Sequence, residues 1–154
     1  MHKKSQQISK SSWTLNLRRG LMMSERQGTR CKYLIDTSAL YPMLISGIPI
    51  SSEECAVSSL TEYEVGNVLW RENKQGKLKD SRKVASIFSE VMSPLKKMAI
   101  DSVADVLAIA IERNLTFYNA SYAYIAEKQN IKLVTQDTDL LKKCKVAIPI
   151  DKME

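Results

Sequence analysis

The sequence predicts a parallel α/β fold, with a buried central sheet covered by helices on both faces. From Lys32 onward, short β-like runs alternate with amphipathic stretches of helical period. The strand-like runs are apolar almost throughout, as in strands covered on both sides, and do not alternate apolar with polar. A chain of 154 residues, 44% of them hydrophobic, suffices for one domain with a real core and is short for two.

The elements follow in order. KYLID, residues 32–36, is a compact apolar strand that ends in an acid, and SALYPMLIS, 38–46, is a short helix cut by Pro42. SGIPISS, 46–52, has the turn chemistry of a loop. ECAVSSL, 54–60, reads as the second strand and TEYEVGNVLWREN, 61–73, as a helix that Gly76 stops. Thr61 and Glu64 have the spacing of a capping box, and Leu60, Val68 and Leu69 are expected to face the sheet.

Residues 80–92 form a helix with Val84, Ile87, Phe88 and Val91 at helical spacing, and Pro94 separates it from MAID, 98–101, expected as a short strand. SVADVLAIAIERN, 102–114, is a helix whose apolar face is Val103, Leu107, Ala110 and Ile111. TFYNASYAYIAEKQN, 116–130, is another, with Tyr118, Tyr122, Ile125 and Ala126 on its face. IKLVTQD, 131–137, is a strand ending in an acid, TDLLKKC a helical turn or two, and VAIPI, 146–150, a final strand.

Charge is unevenly distributed. The chain has 23 basic and 17 acidic residues, for a net +6; residues 1–32 hold eight of the bases against Glu25 alone, which is +7 and leaves the remainder at −1. Residues 1–31 read as a basic, flexible arm, 32–150 as the domain and 151–154 as a tail. Such an arm can neutralise phosphates or stand as a solvated tail, and Met22 or Met23 could be the natural start of translation.

Cys31, Cys55 and Cys144 are odd in number and widely spaced, so they indicate neither a disulfide framework nor a zinc cluster and read as buried thiols in a reducing compartment. The one histidine, His2, lies in the arm. This excludes Ser-His-Asp and Cys-His nucleophiles and His-ligated zinc from the domain. No apolar run approaches the roughly 20 residues that span a bilayer, and no secretory signal is evident, so a cytoplasmic protein is expected.

Acid/base or metal chemistry must therefore rest on carboxylates. Functional groups of parallel α/β sheets collect beyond the carboxyl ends of strands, where Asp36 and Asp137 both fall. An Asp there is equally suited to capping the next helix. Glu64, in the first turn of a helix with an apolar face, is costly there unless paired or bound to a cation, and Asn67 lies one turn on along the same side. Clustered carboxylates repel, and a hard divalent cation holds them together.

YLIDTSAL, LTEYEVGNVLW, FYNASYAYIAE and LVTQDTDLL stand in the order and at about the spacing of the motifs of PIN-domain ribonucleases, and the chain resembles the VapC-type toxins among them. The resemblance spans about residues 32–150. It implies a three-layer α/β/α sandwich, Mg²⁺ or Mn²⁺ as cofactor, endonucleolytic hydrolysis of RNA leaving 5′-phosphate ends, a homodimer, and a partner antitoxin that blocks the pocket. The family's acids match Asp36, Glu64 and Asp137, with Ser38 and Thr135 at supporting positions and Asn67 at a polar position after the second acid. The remaining acid is an Asp in the family and Asn119 here, which predicts weakened metal affinity or, alternatively, a silent module that binds RNA or protein. Asp139, two residues after Asp137, could return the missing charge through a water or simply face solvent as a first-turn acid.

Overall fold

The computed structural model describes residues 30–154. The basic arm up to residue 29 and the alternative start at Met22 or Met23 lie outside them. Strands β1 (Tyr33–Ile35), β2 (Cys55–Ser58), β3 (Lys96–Met98), β4 (Lys132–Val134) and β5 (Ala147–Ile148) form one sheet. Their order is β3-β2-β1-β4-β5 and every pairing is parallel. The helices are α1 (Thr37–Ile45), α2 (Thr61–Lys74), α3 (Ser81–Met92), α4 (Val103–Arg113), α5 (Phe117–Gln129) and α6 (Thr138–Lys143).

Side-chain alternation along β1 separates the two cores. Leu34 packs with Val106, Ala110, Tyr122, Ile125 and Leu140, from α4, α5 and α6. Tyr33 and Ile35 pack on the opposite face with Leu40, Val65 and Phe88, from α1, α2 and α3. The fold is the three-layer α/β/α sandwich expected from the sequence. The chain builds outward from β1 to β3 and then returns to place β4 on the other side of β1. A topological switch point therefore lies between β1 and β4, where open α/β sheets form a crevice.

Several elements differ from the sequence expectation. The third strand is Lys96–Met98 and not MAID, because an edge strand tolerates exposed lysines and only Met98 turns inward. The capping box on α2 is not formed: Leu60 occupies the N-cap position without a side-chain cap bond, and the Thr61 hydroxyl is buried against Tyr122. The buried positions of that helix are Thr61, Val65 and Leu69, while Leu60 and Val68 are half-buried.

On α4 the sheet-facing residues are Val106 and Ala110, and Val103, Leu107 and Ile111 are 65%, 48% and 74% exposed. Tyr118 is likewise exposed, whereas Tyr122, Ile125 and Ala126 are buried as expected. Both α4 and α5 end on an asparagine in the left-handed conformation, Asn114 at φ 50° and Asn130 at φ 53°. At the end of the described chain, the Tyr33 hydroxyl donates to the Glu154 carbonyl and accepts from its N–H, each at 3.1 Å.

Candidate active site

Asp36 follows β1 and Thr135 follows β4, so the sheet sets them side by side across the switch point. The Asp36 backbone N–H donates to the Val134 carbonyl at 3.0 Å and fixes that approach. Asp36 Oδ2 accepts from Ser38 Oγ at 2.6 Å and from Thr135 Oγ1 at 2.7 Å. Ser38 Oγ in turn accepts from the Gln136 N–H and Thr135 Oγ1 from the Asp137 N–H, each at 3.0 Å. Each hydroxyl therefore gives its single proton to the carboxylate and its lone pair to the backbone. Asp36 heads α1 but makes no side-chain cap bond, so its carboxylate is committed to this cluster.

Burial pushes the Asp36 carboxyl above its ordinary value, opposed by the hydroxyls of Ser38 and Thr135 and the backbone of Ser38 and Thr37. Glu64, from the first turn of α2, is raised first by its own burial; the hydroxyls of Thr37 and Tyr122 oppose the rise, and the Asp36 charge adds to it. Glu64 Oε2 accepts from the Tyr122 hydroxyl at 3.3 Å. Its Oε1 is buried with no hydrogen-bond partner among the described residues.

The other expected residues stand apart from this cluster. Asp137 caps α6, its Oδ1 accepting from the Leu140 N–H at 2.9 Å, which leaves the second oxygen for other use. Asp139 is exposed and paired with Lys143 one turn on, at 3.1 Å. Asn67 is exposed on α2, its side chain without a hydrogen bond among the described residues. Asn119 lies half-buried in the first turn of α5, where its backbone N–H donates to the N-cap hydroxyl of Thr116 at 3.2 Å.

Tyr122, Thr37 and Thr61 enter the site without having been expected there. Helical spacing places Tyr122 on the apolar face of its helix, but a buried phenol needs a partner for its hydroxyl, and that is the available signal.

The donor set fits a hard cation. A buried carboxylate oxygen without a partner costs about 1–3 kcal/mol or more, and a second carboxylate nearby adds repulsion; one divalent ion relieves both. Among the described residues no three acids, cysteines or histidines converge enough to hold an ion alone. Magnesium commonly uses only one or two protein carboxylates and completes its shell with water and phosphate.

Against known proteins, the PIN domain family model matches residues 33–146. The protein belongs to the PIN domain family. It is 41% identical over 122 residues to Exonuclease VapC9 of Pyrobaculum aerophilum, spanning 78% of this chain and 91% of that one. It is 31% identical over 124 residues to Ribonuclease VapC3 of the same organism, spanning 73% and 94%. These relatives make it a VapC-type PIN domain. The crystal structure of PAE2754 from Pyrobaculum aerophilum superposes with a TM-score of 0.70 at 40% identity, covering 79% of this chain and 85% of that one. A toxin–antitoxin complex from Klebsiella pneumoniae shares the fold, with a TM-score of 0.55 at 17% identity, covering 75% of this chain and 95% of that one.

Proposed function

We propose that this protein is a metal-dependent endoribonuclease and the toxin of a toxin–antitoxin pair. The observation that carries the proposal is Glu64 Oε1, a buried carboxylate oxygen without a partner, close enough to Asp36 for the two charges to interact. The VapC-type relatives, one named an exonuclease and one a ribonuclease, support nuclease chemistry. Asp36 and Glu64 would hold Mg²⁺ or Mn²⁺, with water and phosphate completing its shell and the free oxygen of Asp137 reaching it through one of those waters. Bound there, the cation would polarise the phosphodiester and lower the pKa of the attacking water.

The protein's own groups do the positioning. Ser38 and Thr135 lock the Asp36 carboxylate in one orientation. Asn119 offers an amide oxygen in place of a charge, and Asn67 and Asp139 are supporting polar groups in this reading. Residues 32–150 carry this function, 1–31 serve as a basic arm and 151–154 as a tail. The exposed stripe of Val103, Leu107 and Ile111 on α4 supports a homodimer. A cytoplasmic location and an antitoxin that covers the acidic pocket complete the assignment. Among the described residues no helix is long and apolar enough to cross a membrane.

Purified protein is expected to cut single-stranded RNA in Mn²⁺ or Mg²⁺ and to stop in chelator, and Asp36→Asn to lose the activity. Equal cutting in excess chelator overturns the assignment. Asn119 and the lack of a converged three-group cluster among the described residues favour a second possibility, a PIN module that binds RNA or protein without catalysis. Calorimetric titration with Mn²⁺ separates the two, because a silent module shows no binding that Asp137→Ala removes.

A further inference from the structure

We propose that Tyr122 is a positioning residue for the cation site, its hydroxyl holding Glu64 so that Oε1 stays unpartnered and available. The proposal rests on the metal-dependent reading above. Tyr122 is 1% exposed, and its oxygen lies 3.1 Å from Thr61 Oγ1, 3.4 Å from Thr37 Oγ1 and 3.3 Å from Glu64 Oε2. An ionised carboxylate only accepts, so the phenol proton belongs to Glu64. The phenol oxygen is then left as an acceptor, and the Thr61 hydroxyl is the donor that satisfies it.

The hydroxyls of Thr37 and Tyr122 both favour the charged form of Glu64, but it is Tyr122 that reaches its carboxylate within hydrogen-bond distance, at 3.3 Å. The Glu64 side chain springs from the first turn of α2, and Oε2 finds its bond on α5, 58 positions later in sequence. A glutamate has three side-chain torsions to order, and a single directional bond selects among their combinations. Without it, Oε1 can leave its buried, unpartnered position for water, since burial there is unfavourable in the absence of a cation. Tyr122 thus holds the carboxylate in a place that it would not occupy unaided. The same phenol ring is buried in the core beneath the site, so the orientation of α5 is transmitted to Glu64.

The test is Tyr122→Phe in the full chain, which keeps the ring and removes one oxygen. Mn²⁺ affinity is measured by calorimetry for wild type, Tyr122→Phe, Glu64→Gln and the double variant. We expect Tyr122→Phe to weaken Mn²⁺ binding about three- to tenfold, the scale of one lost hydrogen bond, and to have little further effect once Glu64 is Gln. A crystal structure of Tyr122→Phe is expected to show the Glu64 carboxylate swung away from Asp36. Unchanged Mn²⁺ affinity in a folded Tyr122→Phe, or an equal loss in both backgrounds, overturns the proposal while leaving the metal site intact. If wild type shows no Mn²⁺ binding that Asp36→Asn abolishes, the metal reading itself fails and this one fails with it.

Discussion

Thr135 donates a 2.7 Å hydrogen bond to Asp36 Oδ2 across 99 positions of sequence, and so joins the carboxyl ends of β4 and β1 at the switch point of the sheet. The same hydroxyl accepts from the Asp137 N–H, which links the first acid to the loop that carries the last. Thr135→Val removes both contacts while keeping the shape of the side chain. The expected cost is about 1–3 kcal/mol of stability, because buried Asp36 loses a donor and the half-buried Asp137 N–H loses its acceptor. Urea denaturation of the variant and wild type checks this. Mn²⁺ affinity should fall as well, since the hydroxyl is one of the groups that keep Asp36 charged.

The two raised carboxyls set the sign of a pH dependence. Asp36 and Glu64 stand above their ordinary values of 3.8 and 4.5, so in this range the folded protein holds more protons than the unfolded chain. Their contribution to stability is complete below the unfolded values and is lost as pH rises through the folded ones. In chelator, Asp36→Asn should therefore raise the melting temperature at neutral pH and lose that advantage as pH falls and the raised Asp36 carboxyl of the wild type takes up its proton. Glu127 acts oppositely, because the Arg113 ion pair lowers it, but it is common to both proteins and cancels in the comparison. Thermal melts of the two across this range, without metal, give the measurement.

How far the sequence discloses this site depends on the range over which each signal acts. Asp36 and Asp137 are legible because a strand-end acid is a local pattern. Thr61 was misread for the same reason: the capping box is a local rule, whereas the hydroxyl's actual partner, Tyr122, lies 61 positions away. Helical period identified an apolar stripe on α4, but it does not say whether the sheet or solvent meets that stripe. Val106 and Ala110 are the residues buried in the core with Leu34, on a helix that packs beside α5. The misplaced third strand shows the same limit, since Lys96 and Lys97 are acceptable only at an edge and edge position is a property of the whole sheet.

The stripe makes a prediction of its own. Val103, Leu107 and Ile111 recur every four residues, so one charge in the middle disrupts the whole row. If a second copy covers it, Leu107→Glu should convert a dimer to a monomer in light scattering after gel filtration, with the melting temperature of the monomer little changed, because Leu107 is half-exposed already. A wild type that is monomeric at high concentration removes the stripe as support for dimerisation.

The mode of cutting can be decided without any variant. One relative is named an exonuclease and the other a ribonuclease, and internal cleavage is the outcome we expect for this chain. A circular single-stranded RNA has no end for an exonuclease to enter. Linearisation of the circle in Mn²⁺, giving a single product of full length with a 5′-phosphate, is the expected first event. A circle left intact while a linear RNA of the same sequence is degraded would assign the protein to end-directed cleavage.

Asn119→Asp restores a charge at the position where the family carries an acid, and the outcome depends on competing electrostatic terms. Two unit charges 4 Å apart attract by about 4 kcal/mol at an effective dielectric of 20, and a divalent ion doubles the gross figure. Against this, the amide oxygen of Asn119 can itself coordinate a hard cation, water screens a half-buried position, and a third acid repels Asp36 and Glu64 when no ion is present. The net effect is a small fraction of the gross one: Mn²⁺ affinity should rise about tenfold, RNA cleavage should rise with it, and the apo protein should be slightly less stable than wild type. Calorimetry, a cleavage assay and melts in chelator test the three together. Equal metal affinity in the two proteins would mean that position 119 does not contact the ion, and cleavage absent from both would establish the silent module.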